Sequence, residues 1–177
     1  YKMKKKSFAI IGDPIAHSLS PILHNYWFDK YNIDAEYNLL NIKEGDLQLV
    51  VTDIKEKKLS GINITLPYKQ KIIPYVDQLI NDAKSTNSVN TVFINEKNTL
   101  VGENTDVFGI QAAYLKEIPN VENKKILIMG AGGVSPSVIL SLQKSKVSNK
   151  SIVNRTHEKS IFLKKKFSLI NILEWKT

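Results

Sequence analysis

The sequence predicts an α/β protein of two parts: an N-terminal α/β domain and a partial, Rossmann-like doubly wound domain. Three observations carry this. Strand and helix signals alternate along the chain, as in sheets built with helical crossovers. The apolar run Ile126-Leu127-Ile128-Met129 leads straight into Gly130-Ala131-Gly132-Gly133 and then a helix. Such glycines let the backbone turn tightly and approach a pyrophosphate, which rests on the N–H groups of the helix start. A second strand, Ser151-Ile152-Val153, ends in Asn154-Arg155-Thr156, where the ribose-reading residue of such a unit falls. An acidic residue there would accept from the 2′-hydroxyl of NAD, whereas the planar fork of Arg155 suits the 2′-phosphate of NADP. Gly130, Ala131, Gly132, Gly133, Asn154, Arg155 and Thr156 are therefore the candidate cofactor-binding residues, and NADP the expected cofactor. The plainer reading is a glycine turn closing an ordinary crossover, with Arg155 on a solvated loop. Ser135 occupies the third small position of the fingerprint, and Pro136 after it suits a first helical turn.

Earlier elements follow in order. Ser7 to Gly12 reads as a strand, then a helix runs from Pro21 to Lys30 with Ser20 as its cap. Ala35 to Ile42 is an expected strand. Asp46 to Lys57 is an amphipathic helix carrying Leu47, Val50, Val51 and Ile54. A short strand spans Gly61 to Thr65, and helical segments are expected at 67–73 and 75–83. Val89–Ile94 and Thr99–Gly102 form a hairpin about Glu96-Lys97-Asn98. A helix from Asp106 to Leu115 connects the parts, placing a domain boundary between residues 107 and 108. After it come two strands, two helices and a third strand at Ile170–Leu173, where a full dinucleotide fold takes about six strands. The C-terminal part of such a domain is thus expected to be missing.

Composition narrows the function classes. With 177 residues the chain is one large domain or two small ones, and with no cysteine it holds no disulfide and no thiolate. No apolar run reaches the length of a membrane span, and the N-terminus lacks the apolar core of a signal peptide. A cytoplasmic protein beginning naturally at Met3 is expected, a monomer or homodimer with small-molecule partners. The net charge of +8 comes mostly from dispersed lysines, with clusters at 4–6 and 164–166. No basic stripe interleaves with aromatics, so no nucleic-acid partner is expected; the field favours anionic small molecules. The three histidines have no carboxylate cluster at ligand spacing, so no metal site is expected. His17 and His24 read as structural and His157 as exposed, and Tyr26, Trp27 and Phe28 as packing a helix face.

Polar clusters punctuate the strand ends of the first half, where α/β sheets gather ligands. They are His17-Ser18-Leu19-Ser20-Pro21, Asn63-Ile64-Thr65-Leu66-Pro67-Tyr68-Lys69, Ser88-Val89-Asn90-Thr91 and Asn104-Thr105-Asp106. Ser18 and Ser20, at alternate positions of an extended loop, could both donate to one carboxylate. Taken singly, Ser20 and Asp106 could be helix caps, Thr65 and Asn90 strand terminators, and Lys69 a surface lysine.

Together with the Gly-Ala-Gly-Gly turn and the Asn-Arg-Thr strand end, these segments resemble shikimate dehydrogenase in order and spacing over essentially the whole chain. The resemblance implies an NADP-linked enzyme interconverting 3-dehydroshikimate and shikimate. It implies that Ser18 and Ser20 hold the substrate carboxylate. Thr65, Asn90 and Asp106 would bind ring hydroxyls, with Asn63 as support, and Lys69 and Asp106 would form the catalytic pair. Residues 1–107 would then be the substrate-binding catalytic domain and 108–177 the partial cofactor domain. Two departures bear on this: Val107 stands where the family usually has glycine, and Val134-Ser135-Pro136 replaces the small start of the cofactor helix. The alternatives are a non-catalytic fragment that binds substrate only, a quinate/shikimate dehydrogenase, and another Rossmann reductase such as a glutamyl-tRNA reductase. Arg155 counts against the NAD preference of the second, and the Ser-Leu-Ser-Pro loop and Asn-Thr-Asp element count against the third.

Overall fold

The computed structural model describes residues 5–176, so Met3 and Lys4 of the N-terminal cluster lie outside the described residues. The chain divides into two compact units. The first holds the residues up to Lys84 together with Val89–Glu103, and the second Ser85–Ser88 together with Asn104 onward. The helix at Asp106, expected as a connection, thus belongs to the second unit.

The first unit is a six-stranded sheet. Its strands are β1 (Lys6–Gly12), β2 (Ala35–Asn41), β3 (Gly61–Ile64), β4 (Gln78–Leu79), β5 (Thr91–Ile94) and β6 (Leu100–Glu103), in the order β2-β1-β3-β5-β6-β4. Only β5 runs against its neighbours, pairing antiparallel with β3 and β6. The hairpin turn is held by Asn95, whose Oδ1 accepts the N–H groups of Lys97 and Thr99, with Asn98 at a left-handed φ of 58°.

Strand β1 is buried on both faces, as a central parallel strand should be. Ala9 and Ile11 join the main core, while Phe8 and Ile10 join a smaller cluster with Ile15 and Tyr37. Helix α2 (Leu47–Lys55) closes the main core with Leu47, Val50, Val51 and Ile54, a single i, i+3, i+4, i+7 face that is wholly buried.

Helix α1 (Ser20–Lys30) buries no residue completely. The expectation that Tyr26, Trp27 and Phe28 pack one face is corrected: Phe28 packs on the smaller cluster, while Tyr26 and Trp27 are exposed. Their rings contact each other and the Lys30 ammonium instead. His24 reads as structural in the fold too. Its ring stacks on Tyr37 with centroids 4.2 Å apart and planes 4° from parallel, and His17 is exposed.

Burial lowers the His24 pKa from its ordinary 6.5. Below pH 6.5 the unfolded chain therefore binds more protons than the folded one, and the stability that neutral His24 supports falls as pH drops. The melting temperature is expected to decline from pH 7 to 5, and His24→Phe to flatten that slope. An unchanged slope in the variant would assign the decline to other groups.

The helices expected at 67–73 and 75–83 are not formed. Residues 66–72 are turns, Ile73–Tyr75 is one 3₁₀ turn, and β4 and the short helix α3 (Asp82–Thr86) follow. Burial explains this. Tyr68 and Ile72 are drawn into the core, and the buried Tyr68 hydroxyl donates to the Ile42 carbonyl at 2.8 Å.

The second unit holds a parallel sheet of β7 (Lys125–Met129), β8 (Asn149–Val153) and β9 (Asn171–Leu173), in that order. Its helices are α4 (Asp106–Ala113), α5 (Ser135–Lys144) and α6 (His157–Lys166). Its core joins Ile128, Ile139, Leu142, Ile152, Leu163 and Phe167. Helix α5 meets α4 through buried serines: the Ser141 hydroxyl donates to the Val107 carbonyl at 3.1 Å. A serine is small enough to let the helices approach and satisfies its own hydroxyl there. His157 is exposed at the start of α6. Among the described residues no helix is long and apolar enough to cross a membrane, and no cluster of His, Asp and Glu could hold a metal.

Candidate active site

In the first unit the C-terminal ends of β1, β2, β3 and β6 lie on one sheet edge, with the start of β5 beside them. The candidate residues of this unit, Ser18, Ser20, Thr65, Lys69 and Asn90, all sit in segments leaving that edge. Ser18 and Ser20 follow β1. The Ser18 N–H donates to the Ile15 carbonyl at 2.9 Å, and its hydroxyl oxygen accepts the Ser20 N–H at 3.3 Å. The expected cap is therefore corrected. Ser20 is itself the first helical residue, and Ser18, two positions earlier, receives an N–H at the helix start.

Thr65 follows β3, its N–H on the Ile11 carbonyl (3.0 Å) and its carbonyl accepting the Tyr68 N–H (3.0 Å). Buried Tyr68 anchors the turn so that neighbouring Lys69 stays only partly covered. The Lys69 carbonyl accepts the Val89 N–H at 2.8 Å, tying this turn to the segment that enters β5. Asn90 is clasped by the sheet: its N–H donates to the Glu103 carbonyl (2.9 Å), and its carbonyl accepts from Ile64 N–H (2.8 Å) and Asn63 Nδ2 (3.2 Å). An exposed ion pair between Lys43 and Asp13, 2.8 Å apart, joins the loops after β2 and β1 and raises the lysine pKa.

In the second unit Asp106 begins α4. The expectation that it caps this helix is corrected: buried Asn104 does so, its Oδ1 accepting the Val107 N–H at 3.3 Å. Asn104 also donates to the Ser88 carbonyl (2.9 Å) and the Ser137 hydroxyl (3.0 Å). Val107, in place of the family's glycine, is fully buried.

The glycine turn is equally built from its neighbours. Gly130 has φ +110°, which a side chain would strain, and its N–H continues the sheet to the Val153 carbonyl at 2.8 Å. Gly132 leaves open space where a Cβ would stand. Ser135 is buried, and its hydroxyl donates back to the Gly130 carbonyl at 3.0 Å, closing the turn in a way alanine could not. Asn154 joins the two halves: its Oδ1 accepts the Ala131 N–H (3.1 Å) and its Nδ2 donates to the Thr156 carbonyl (2.7 Å). Arg155, between them, is exposed at the end of β8. An open turn heading α5, no acidic residue in the helix's first turn, and an exposed guanidinium fit the phosphates of NADP.

Sequence reasoning missed Tyr37 altogether, and gave no contact to Thr91, named only within a polar cluster, or to Ser135, named only as the third small position of the fingerprint. Tyr37 looks like an ordinary strand residue, and the fold brings all three hydroxyls to their partners.

Comparison with known proteins agrees with this geometry. Residues 10–92 match the shikimate dehydrogenase substrate binding domain, and residues 113–175 match the shikimate / quinate 5-dehydrogenase domain. The chain is 44% identical over 171 residues to a protein of Pelagibacter ubique named shikimate dehydrogenase (NADP(+)), covering 97% of this chain and 64% of that one. The crystal structure of shikimate dehydrogenase from Aquifex aeolicus superposes with a TM-score of 0.88 at 35% identity, over 98% of this chain and 64% of that one. A Thermus thermophilus shikimate 5-dehydrogenase, solved in complex with NADP(H) and shikimate, gives 0.84 at 27% identity, over 95% and 62%. The chain thus spans under two thirds of the length of these relatives. With both domains matched in chain order, the chain belongs to the shikimate dehydrogenase family.

Proposed function

We propose that the chain carries the substrate and cofactor machinery of an NADP-dependent shikimate dehydrogenase, which reversibly reduces 3-dehydroshikimate to shikimate. The observation that carries this is the gathering of Ser18, Ser20, Thr65, Lys69 and Asn90 at one sheet edge of the first unit. Two hydroxyls suit a carboxylate, a threonine and an asparagine suit ring hydroxyls, and a lysine suits a carbonyl becoming an alcohol. Functionally, residues 1–107 hold the substrate and 108–177 part of the cofactor site. The setting is aromatic amino-acid (chorismate) biosynthesis in the cytoplasm, with no nucleic-acid or membrane partner.

Bound NADPH supplies the hydride. Reduction leaves negative charge on the carbonyl oxygen, so a positioned acid must meet it. The Lys69 ammonium stabilises that oxygen and delivers the proton. Asp106 orients Lys69 and takes a ring hydroxyl, Thr65 and Asn90 fix the ring, and Ser18 and Ser20 donate to the carboxylate.

Loss of NADPH absorbance with 3-dehydroshikimate, and the reverse reaction with quinate beside shikimate, tests the reading. If the chain is silent, calorimetry decides. Shikimate binding would keep the substrate assignment without turnover, and no binding would remove it.

Arg155→Ala is expected to weaken NADPH about 10- to 100-fold, the worth of one or two charge-assisted hydrogen bonds, and to leave NADH nearly unchanged. Fluorescence titration of both nucleotides reads this without turnover. Equal losses for the two would place Arg155 away from the 2′-phosphate.

A further inference from the structure

We infer that Tyr37, Asn63 and Thr91 form a one-way hydrogen-bond relay that sets the orientation of the Asn90 side-chain amide, so that its NH₂ faces the substrate. The inference rests on the proposed role of Asn90 and adds three positioning residues to it.

The direction follows from what each group can donate. The Asn90 backbone carbonyl only accepts, and Asn63 approaches it at 3.2 Å, so the Asn63 NH₂ must be on that side. The second N–H of that NH₂ goes to the Thr91 hydroxyl at 3.0 Å. The Asn63 Oδ1 is left facing the Tyr37 hydroxyl at 2.8 Å, which must then donate. Burial supports this: Tyr37 is 3% exposed, and desolvation pushes its pKa well above the ordinary value, keeping the proton on the oxygen.

Thr91, already accepting from Asn63, has one proton to give and lies 3.0 Å from Asn90 Oδ1. With the Thr91 proton given to it, Asn90 Oδ1 lies on the Thr91 side, which turns the NH₂ the other way. A ring hydroxyl receiving that N–H has its own proton directed to a different partner. The amide chooses between the two polarities a hydroxyl could adopt.

The start of the relay is rigid. Asn25 of α1 grips the Tyr37 backbone in both directions, its Nδ2 donating to the carbonyl and its Oδ1 accepting the N–H, each at 2.9 Å. His24 stacks on the Tyr37 ring. Tyr37 lies on β2, Asn63 on β3 and Thr91 on β5, so the relay crosses the sheet over β1.

Shikimate calorimetry and ¹⁵N side-chain amide spectra of the whole chain test this, for wild type, Thr91→Val, Thr91→Ser and Tyr37→Phe. Thr91→Val keeps the shape but cannot donate, and is expected to weaken shikimate about 10-fold and to shift the Asn90 NH₂ resonances. Thr91→Ser should restore both, which a packing role for the threonine methyl would not predict. Tyr37→Phe should weaken binding about threefold and shift the Asn63 NH₂ most. Wild-type affinity in Thr91→Val would overturn the relay, as would loss in Thr91→Ser equal to that in Thr91→Val. If wild type binds no shikimate, the proposed function fails and the spectra alone decide. Asn90 resonances that shift in Thr91→Val and return in Thr91→Ser support the relay, and unmoved ones overturn it. If Thr91→Val does not fold, Tyr37→Phe carries the same comparison, with an unmoved Asn63 NH₂ as the contrary result.

Discussion

Lys69→Ala is expected to lower kcat for 3-dehydroshikimate reduction by about 10³-fold, within the range that a positioned general acid supplies. Shikimate affinity should change only several-fold, because Ser18, Ser20, Thr65 and Asn90 remain. This split separates a proton donor from a mere binding contact, which would raise KM and spare kcat. The fold should tolerate the change: Lys69 is tied to the segment entering β5 by its backbone carbonyl, which accepts the Val89 N–H at 2.8 Å. Lys69→Arg should not recover the rate, since a guanidinium holds its proton too tightly to deliver it near neutral pH. Steady-state kinetics of the three proteins, with calorimetry alongside, measures both quantities. A Lys69→Ala protein that retained kcat would end the acid assignment.

Gly12→Ala is expected to destabilise the first unit by about 2 kcal/mol and to weaken shikimate binding together with it. Gly12 ends β1 at the candidate site, and a Cβ there would stand 2.7 Å from both Ile15 Cδ1 and Thr65 Cγ2, and 3.0 Å from the Leu66 carbonyl oxygen. The side chains could shift, but the carbonyl belongs to backbone that accepts the Asp13 N–H at 3.1 Å. The loops after β1 and β3 must then separate, and Thr65 moves with them. For a unit of this size the loss corresponds to a fall of about 8–16 °C in melting temperature. Adding Thr65→Ser removes the clashing methyl and keeps the hydroxyl, so the double variant should regain part of both stability and affinity. Additive losses in that cycle would show that Thr65 is not where the strain falls.

The two corrected caps show where sequence reading stops. Ser20 and Asp106 have the right side chains for a cap where a helix is expected to begin, yet each is already inside its helix. The residues that do receive an N–H there are Ser18 and Asn104, two positions earlier. A cap depends on how the preceding loop leaves the sheet, and side-chain type alone does not encode that path. The segment 67–83 failed for a related reason: its apolar spacing matches a helix, but Tyr68 and Ile72 are pulled into the core from a turn.

The sequence by itself determined the alternation of strands and helices, the buried face of α2, the glycine turn with Arg155 after the next strand, and the polar clusters at the strand ends. These are local patterns, legible because hydrophobic period, glycine conformation and charge act over a few neighbouring positions. Only the tertiary structure decided which hydroxyls and amides meet. Tyr37, Asn63, Thr91 and Asn90 come from three strands and the entry to one of them, and Asn154 joins two loops separated by a helix. Their partnerships arise from strand order and register, long-range quantities set by how whole faces pack rather than by any one segment.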